Sequence, residues 1–320
     1  MLTDMLLLLP TTLIDGLVLG LIYASIALGY TMVYGVLGLI NFAHSEVFMV
    51  GAIVAIEVLI YGLAGTGLHP LIQLVVAIAV GGLAAGFLAV AIERVAYRPL
   101  RVRNAPRLVP LITTIGVSLF LQDSVRFVES LFGQFIRPFP SFPFFNRQIV
   151  LSETVFISNR TLAIIVLAVT LLAGLYYMVH RTRLGKAMRA VALDQKTSQL
   201  MGINVNKVIA TTFFIGGVAG GVAGVLYALQ FGRMDPFSGF IPGIKAFTAA
   251  VLGGIGSVEG AVLGGVLLGI LEVVLGTYIP MWTNNAIGTE YKDIIAFSIL
   301  ILILIFRPNG LVGRAYAEKV

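Results

Sequence analysis

Residues 244–275 read IKAFTAAVLGGIGSVEGAVLGGVLLGILEVVL. The stretch is mostly apolar, but it holds Glu259 and Glu272 and carries glycines at 253, 254, 256 and 260. At about 20 residues per membrane crossing, its 32 residues are too few for two full spans. One reading is a re-entrant pair: a half-helix enters, turns at VLGGIGSVEG, and a second helix leaves. Glycine permits the backbone such a turn needs. Irregular backbone at membrane depth is tolerated only inside protein or beside a water-filled cavity. The other reading is one Gly-rich span packed closely through small residues. The flanking sequence bears on the choice.

The 320-residue chain is 58% hydrophobic and only 11% charged, against about 25% charged in a soluble domain. Its mean hydropathy is +1.00. This composition implies an all-α, polytopic integral membrane protein. The 36 glycines suit close helix–helix packing in lipid. The absence of cysteine excludes disulfides, thiolate metal sites and cysteine nucleophiles. The formal charge of +6 fits basic residues collected in cytoplasmic loops rather than nucleic-acid binding. MLTDMLLLLP (1–10) holds Asp4 and no Lys or Arg, so no cleaved signal peptide is expected and the N-terminus is expected outside.

Apolar runs near 12–35, 45–63, 71–93, 108–128, 161–180, 207–231 and 291–306 are candidate spans. With 244–275 they give about eight membrane segments in a single transmembrane domain over 1–320. Arg94, Arg98, Arg101, Arg103 and Arg107 cluster in 94–107. Arg181, Arg183, Lys186, Arg189, Lys196 and Lys207 cluster in 181–207. Arg307, Arg314 and Lys319 lie in the tail 307–320. Together these are 14 of the 21 Lys and Arg, and the positive-inside tendency places all three segments in the cytoplasm. The span 207–231 then ends outside and the last span must begin outside. Residues 244–275 must therefore start and finish on the outer face, as a re-entrant pair does. The loop 129–160, with RPFPSFPFF at 137–145, suits an ordered external flap.

YGVLGLINFAHSEV (34–47) joins the first two spans. Gly35 and Gly38 weaken the helix locally. Asn41 and Ser45 can each cap the next helix, and Glu46 in its first turn suits the positive end of the helix dipole. Together with Tyr23, Tyr30 and Tyr34, the same residues can also line a translocation path, because ionisable groups inside membranes face a cavity or a partner rather than lipid. The two readings can coexist. Gly16 and Gly20 of GLVLG give a close-packing face. Glu57, inside GAIVAIEVLIY (51–61), must find a partner or water, as must Glu259 and Glu272; Asp123 and Arg126 can pair at i, i+3. Trp282, Tyr278 and Tyr291 read as interfacial anchors.

No GxxxxGK[ST] run is present, so the chain does not cradle ATP as a P-loop protein does. It also lacks HExxH, GxSxG and any dense intramembrane series of carboxylates. No metal site is expected, and energy coupling is expected from a partner. GKAMRAVALDQKTSQLMG (185–202) reads as a short helix ended by Gly202. Ala187, Ala190 and Leu193, with Leu200 and Met201 beyond, give it a small-to-apolar face, and Arg189 and Asp194 sit on the rim. It is either a surface helix stabilising the inner rim or a coupling helix that fits a groove in an ATPase.

Four blocks carry a family resemblance: LGLIYASIALGYTMVYGVLGLINFAHSEVFMVGA (19–52), GKAMRAVALDQKTSQLMGIN (185–204), AFTAAVLGGIGSVEGAVLGGVLLGILE (246–272) and FRPNGLVG (306–313). In that order, over nearly the whole chain, they resemble the permease subunit of high-affinity branched-chain amino acid ABC importers. The resemblance is loosest in 129–160, and Ser45 stands where family members commonly carry glycine after the histidine.

The resemblance implies a bacterial cytoplasmic (inner) membrane importer with a cytoplasmic C-terminus on this subunit. Its expected parts are a second related permease chain, usually forming a heterodimer, two cytoplasmic ATPase subunits and a periplasmic or extracellular substrate-binding protein. This chain is then a transport subunit and no enzyme. It carries no cofactor, since ATP and magnesium bind the partner ATPases. The family's ATPase contact, mapped here to about 181–206, assigns coupling to Gly185, Arg189, Ala190, Asp194, Gly202 and Ile203. The substrate path is expected at Tyr23, Tyr30, Tyr34, Asn41, His44, Ser45 and Glu46, and at the turn Gly253, Gly254, Gly256, Ser257 and Glu259. Branched-chain and other neutral amino acids are the implied substrates. A sister group moves urea or short amides, but GLIYASIALGYTMVYG (20–35) favours the amino-acid branch. A stand-alone channel or ion-coupled carrier, with the Gly-rich turn as a filter, is the reading from another class.

Overall fold

The computed structural model describes residues 2–106, 108–152 and 155–312. Arg107, Arg314, Lys319 and Gly313, and the side chain of Asp4, lie outside the described residues. Helix α1 (Leu2–Leu37) stops where Gly38 takes φ +65°. Helix α2 (His44–Glu57) runs on through a π-helical turn at Val58–Gly62. Helix α3 (Pro70–Ile92) starts at the first-turn proline that fixed φ favours and continues through a π-helical turn (Glu93–Tyr97) into α4 (Arg98–Val102). The expected inner loop 94–107 is therefore helical as far as Val102. Arg101 pins that extension to Glu93 at 3.2 Å and to Asn206 at 2.7 Å.

Helix α5 (Leu108–Leu131) is followed by a short helix α6 (Pro143–Asn146), and α7 (Asn159–Arg181) leads through α8 (Arg183–Leu193) and α9 (Gln195–Leu200) to α10 (Val205–Phe231). Helices α11 (Phe240–Gly253), α12 (Val258–Trp282) and α13 (Lys292–Phe306) complete the bundle. Two small antiparallel ribbons pair β1 (Arg137–Pro138) with β4 (Arg233–Met234), and β2 (Gln148–Ser152) with β3 (Val155–Ser158). Phe139 and Phe145 are buried in this region, so the Phe- and Pro-rich segment is an ordered flap.

Seven described helices are long and apolar enough to cross a membrane. The Gly-rich segment divides where expected, at Gly254–Ser257, so it is not one continuous helix. Its two arms are unequal: α11 has 14 residues and α12 has 25. The second arm is thus a full-length helix reaching Trp282. The candidate span 291–306 is corrected the other way. Helix α13 has 15 residues, about 22 Å at 1.5 Å per residue, and falls short of an apolar core of about 30 Å.

Lipid supplies no hydrophobic drive between helices, so small residues that allow close approach decide the packing. Helix α12 runs antiparallel to α1, with Gly16 against Ile270, Gly20 against Val266 and Gly265 against Ala24. Helix α10 is the most buried of the seven long helices. Its Gly217 and Gly221 meet Ala85, Gly81 and Gly82 of α3, and its Gly224 meets Phe48 of α2.

Arg137, 5% exposed, lies 3.1 Å from Glu57 and 3.7 Å from Glu129, which gives Glu57 the partner it required and ties the flap to α2 and α5. The expected Asp123–Arg126 pair does not appear among the described residues. The Arg126 guanidinium lies 5.9 Å over the Phe237 ring instead. Tyr278 is buried, so of the three expected interfacial anchors only Trp282 and Tyr291 reach the surface.

Candidate functional site

The break after α1 is built from backbone turns. The Gly38 amide donates to the Tyr34 carbonyl at 2.7 Å, and the His44 amide to the Asn41 carbonyl at 3.2 Å. The residue before α2 is Ala43, which makes no side-chain cap. The expected capping by Asn41 and Ser45 is therefore not made. Ser45 lies one residue inside the helix, and its hydroxyl donates back to the Phe42 carbonyl at 2.7 Å, as in-helix serines do. Asn41 is buried and its Oδ1 has no hydrogen-bond partner.

His44 occupies a notch that only glycine leaves open, because a Cβ on Gly29 would overlap its ring and one on Gly220 would lie 3.1 Å from it. The His44 ring is 4.7 Å from that of Tyr30. Phe247 of α11 is 5.9 Å from Tyr30 and 5.8 Å from Phe42. Glu46 is fully buried and accepts from the Ser118 hydroxyl of α5 at 3.1 Å and the Ser45 hydroxyl at 3.4 Å. Gly239 and Gly243 at the start of α11 press on Ser45 and Glu46. The N-terminal ends of α2 and of the short helix α11 thus meet inside the protein.

Tyr30, Asn41, His44, Ser45 and Glu46 are brought together, and the other path candidates are not. Tyr34 is half-buried at the end of α1. The Tyr23 hydroxyl donates to Glu272 Oε2 at 2.9 Å and belongs to a charge cluster. There Lys245 Nζ lies 2.8 Å from both Glu272 Oε1 and Asp293 Oδ1, and Lys292 Nζ lies 3.1 Å from Glu272. Sequence reasoning does not find Lys245; its signal is a lone lysine in FIPGIKAFTAAVLG.

The Gly-rich turn lies elsewhere, beside Gly35 at the end of α1 and His180 at the end of α7. Gly254 and Gly256 have φ of +106° and +96°, which only glycine takes without strain. The Ser257 hydroxyl caps α12 by accepting from the Gly260 amide at 3.1 Å, and Glu259 lies 3.4 Å from His180 Nε2. The chain beyond α13 closes on the turn: the Leu311 and Val312 amides donate to the Leu252 and Gly253 carbonyls at 2.8 and 3.0 Å.

The segment 183–200 is two helices rather than one. Asp194 is extended (φ −158°, ψ 112°), ends α8 and caps α9. Its carboxylate accepts from the Thr197 hydroxyl and from the Thr197 and Lys196 amides, and these bonds hold its carboxyl below the usual range. The cap is therefore complete at neutral pH. Its contribution is lost only as pH falls through the lowered value.

Gly185 abuts the Val179 carbonyl of α7, and Arg189 donates to that same oxygen. Arg189 thus closes the α7–α8 corner instead of standing free on the rim. Ala190 and Ile203 are half-buried, and Gly202 ends α9 with φ +83°. Met188 and Val191 turn inward, while Leu193, Leu200 and Met201 are 81%, 87% and 79% exposed. The expected apolar face is thus split, and its second half is uncovered. Among the described residues no group of three His, Asp or Glu side chains converges to hold a metal ion.

The family described as "Branched-chain amino acid transport system / permease component" matches residues 12–304. The chain is 45% identical over 309 residues to the high-affinity branched-chain amino acid transport system permease protein BraD of Pseudomonas aeruginosa, covering 96% of this chain and 97% of the relative. It is 45% identical over 311 residues to the Escherichia coli K12 protein LivH of the same description, covering 96% of each. A probable branched-chain amino acid transport permease protein LivH of Methanocaldococcus jannaschii is 29% identical over 296 residues, or 90% of this chain and 87% of the relative. No solved structure matches the chain significantly.

Proposed function

This chain belongs to the family of branched-chain amino acid transport system permease components, and we propose that it is the membrane-spanning subunit of an ATP-driven importer of branched-chain and other neutral amino acids. It is a transport permease and not an enzyme. It works beside a second, related permease chain, two cytoplasmic ATPase subunits that carry ATP and magnesium, and an external substrate-binding protein. The basic α8–α9 loop and the C-terminus face the cytoplasm of a bacterial inner membrane, with the N-terminus outside.

The observation that carries this reading is the uncovered set Leu193, Leu200 and Met201 on a short helical pair. Three large apolar side chains left bare between Arg183 and Lys207 mark a contact with another protein rather than with lipid tails. The ATPase seats there. Movement of α8 is passed through Gly185 and Arg189 to the end of α7, then through His180 and Glu259 to the Gly-rich turn beside Gly35. The break at 41–46 packs back against Gly29 and Tyr30 of α1. Rocking of the bundle about it changes the side to which the path opens. Aromatic and aliphatic walls discriminate weakly, about 10–200-fold per methylene, so selectivity rests mainly on the binding protein.

Reconstituted complexes test this. Vesicles holding both permeases, the ATPases and the binding protein are expected to accumulate labelled leucine only with ATP. Unlabelled leucine is expected to compete and urea not to. Competition by urea selects the amide branch, and uptake by the permeases without ATPase selects a carrier.

A further inference from the structure

Buried carboxylates in this protein come with cations, with one exception. Among the described residues, Glu93 has Arg101 at 3.2 Å, Glu129 has Arg137 at 3.7 Å, and Glu272 has Lys245 at 2.8 Å and Lys292 at 3.1 Å. Glu46 is 0% exposed and has no basic partner, and its Oε2 has no hydrogen-bond partner at all. A lone buried charge is costly, and inside a membrane it is kept where it serves a path or a partner.

Two helix ends and two hydroxyls, but no cation among the described residues, face the carboxylate. Glu46 lies in the first turn of α2 and beside Gly239, which precedes the first turn of α11. Both 14-residue helices therefore turn their positive ends toward it. The Ser118 hydroxyl donates to Oε1, while Oε2 packs against Gly239 with no hydrogen-bond partner. Tyr30, Phe42 and Phe247 stand nearby in the same break, an apolar setting for an aliphatic side chain. Ser118 of α5 covers the Oε1 side of Glu46 and Gly239, before α11, covers the Oε2 side; α5 is the least buried of the seven long helices. Withdrawal of α5 from α2 would uncover the Oε1 side of the carboxylate.

We infer that Glu46 is the group that meets the α-ammonium of the amino acid as it passes the break, an assignment that rests on the transport reading above. In the closed form it waits unpaired between two helix ends, and the substrate's cation is the partner it lacks. The aliphatic side chain of the substrate lies along Tyr30, Phe42 and Phe247.

The test uses the whole reconstituted transporter with labelled leucine as probe. Glu46→Gln is isosteric and uncharged. It is expected to assemble and to melt as the wild-type complex does, and to lower ATP-driven uptake by about tenfold or more, because a site built around one polar group discriminates strongly when that partner is lost. Glu46→Gln/Ser118→Asp returns a carboxylate from the opposite wall and is expected to restore part of the uptake. Uptake by Glu46→Gln at the wild-type rate overturns the assignment and leaves the transport reading standing. So does a double variant that melts normally and restores nothing, or a glutamine variant that fails to assemble, which marks a structural role. A wild-type complex that accumulates no leucine overturns the transport reading, and the assignment with it.

Discussion

Lys245→Met is expected to destabilise the solubilised protein by about 3 kcal/mol, the lower end of the cost of removing one partner from a buried ion cluster. The lysine is 6% exposed and ties α11 to Glu272 of α12 and Asp293 of α13, both at 2.8 Å. Methionine fills a similar volume, so the loss is chiefly of charge. Asp293 is 35% exposed at its side chain and reaches water, so the cost falls on Glu272 at 5%. Lys292 at 3.1 Å and the Tyr23 hydroxyl at 2.9 Å still serve Glu272, which is why the loss stays at the lower end. Adding Glu272→Gln removes the carboxylate that has lost its nearest cation and is expected to recover about 1 kcal/mol. Melting in detergent measures both. An unchanged melt for the single variant would mean that the cluster holds nothing together.

The second large effect is expected at the α1–α12 contact. In Gly269→Val the new Cβ meets the backbone N and Cα of Gly20 and approaches the Gly16 carbonyl to 2.8 Å. These are backbone atoms, so no rotamer change relieves the clash and the two helices must move apart. Overpacking ordinarily costs about 1–3 kcal/mol, and a backbone-on-backbone clash belongs at or above the upper end. Loss of the monodisperse peak on size exclusion, or a melt lowered by several degrees, is the expected readout. Gly174→Ala on α7 is the control, since a Cβ there has nothing within 4 Å and its effect is expected to be near zero. Equal behaviour of the two variants would contradict the close α1–α12 approach.

Apolar runs of about 20 residues were enough to read most of the helices, because nothing but a helix satisfies a backbone in lipid. The turn at Gly254 and Gly256 was legible for the same reason: consecutive glycines inside an apolar run serve either packing or positive φ, and here both are present. The Lys245 cluster was not legible. Its members are 27 and 48 residues apart in sequence, and only the packing of α11, α12 and α13 brings them together. In the sequence Asp194 looks like a rim residue because the apolar pattern runs on past it, although an aspartate followed by a polar turn is a capping signal. At the break, the polar residue types announced a site. The start of α2 at His44 instead of after Ser45 leaves none of them as its cap. Tyr23 and Tyr30 are seven residues apart on one helix face, yet they serve different neighbours, Glu272 and His44.

The central claim is that an inward-facing apolar surface on α8–α9 receives an ATPase. The sequence has no cysteine, so Leu200→Cys places a single thiol on the most exposed of the three side chains. A membrane-impermeant maleimide is predicted to modify it in inside-out vesicles and not in intact cells, with protection once the ATPase subunits are bound. Labelling from outside the cell, or labelling that the ATPase leaves unchanged, would contradict the account.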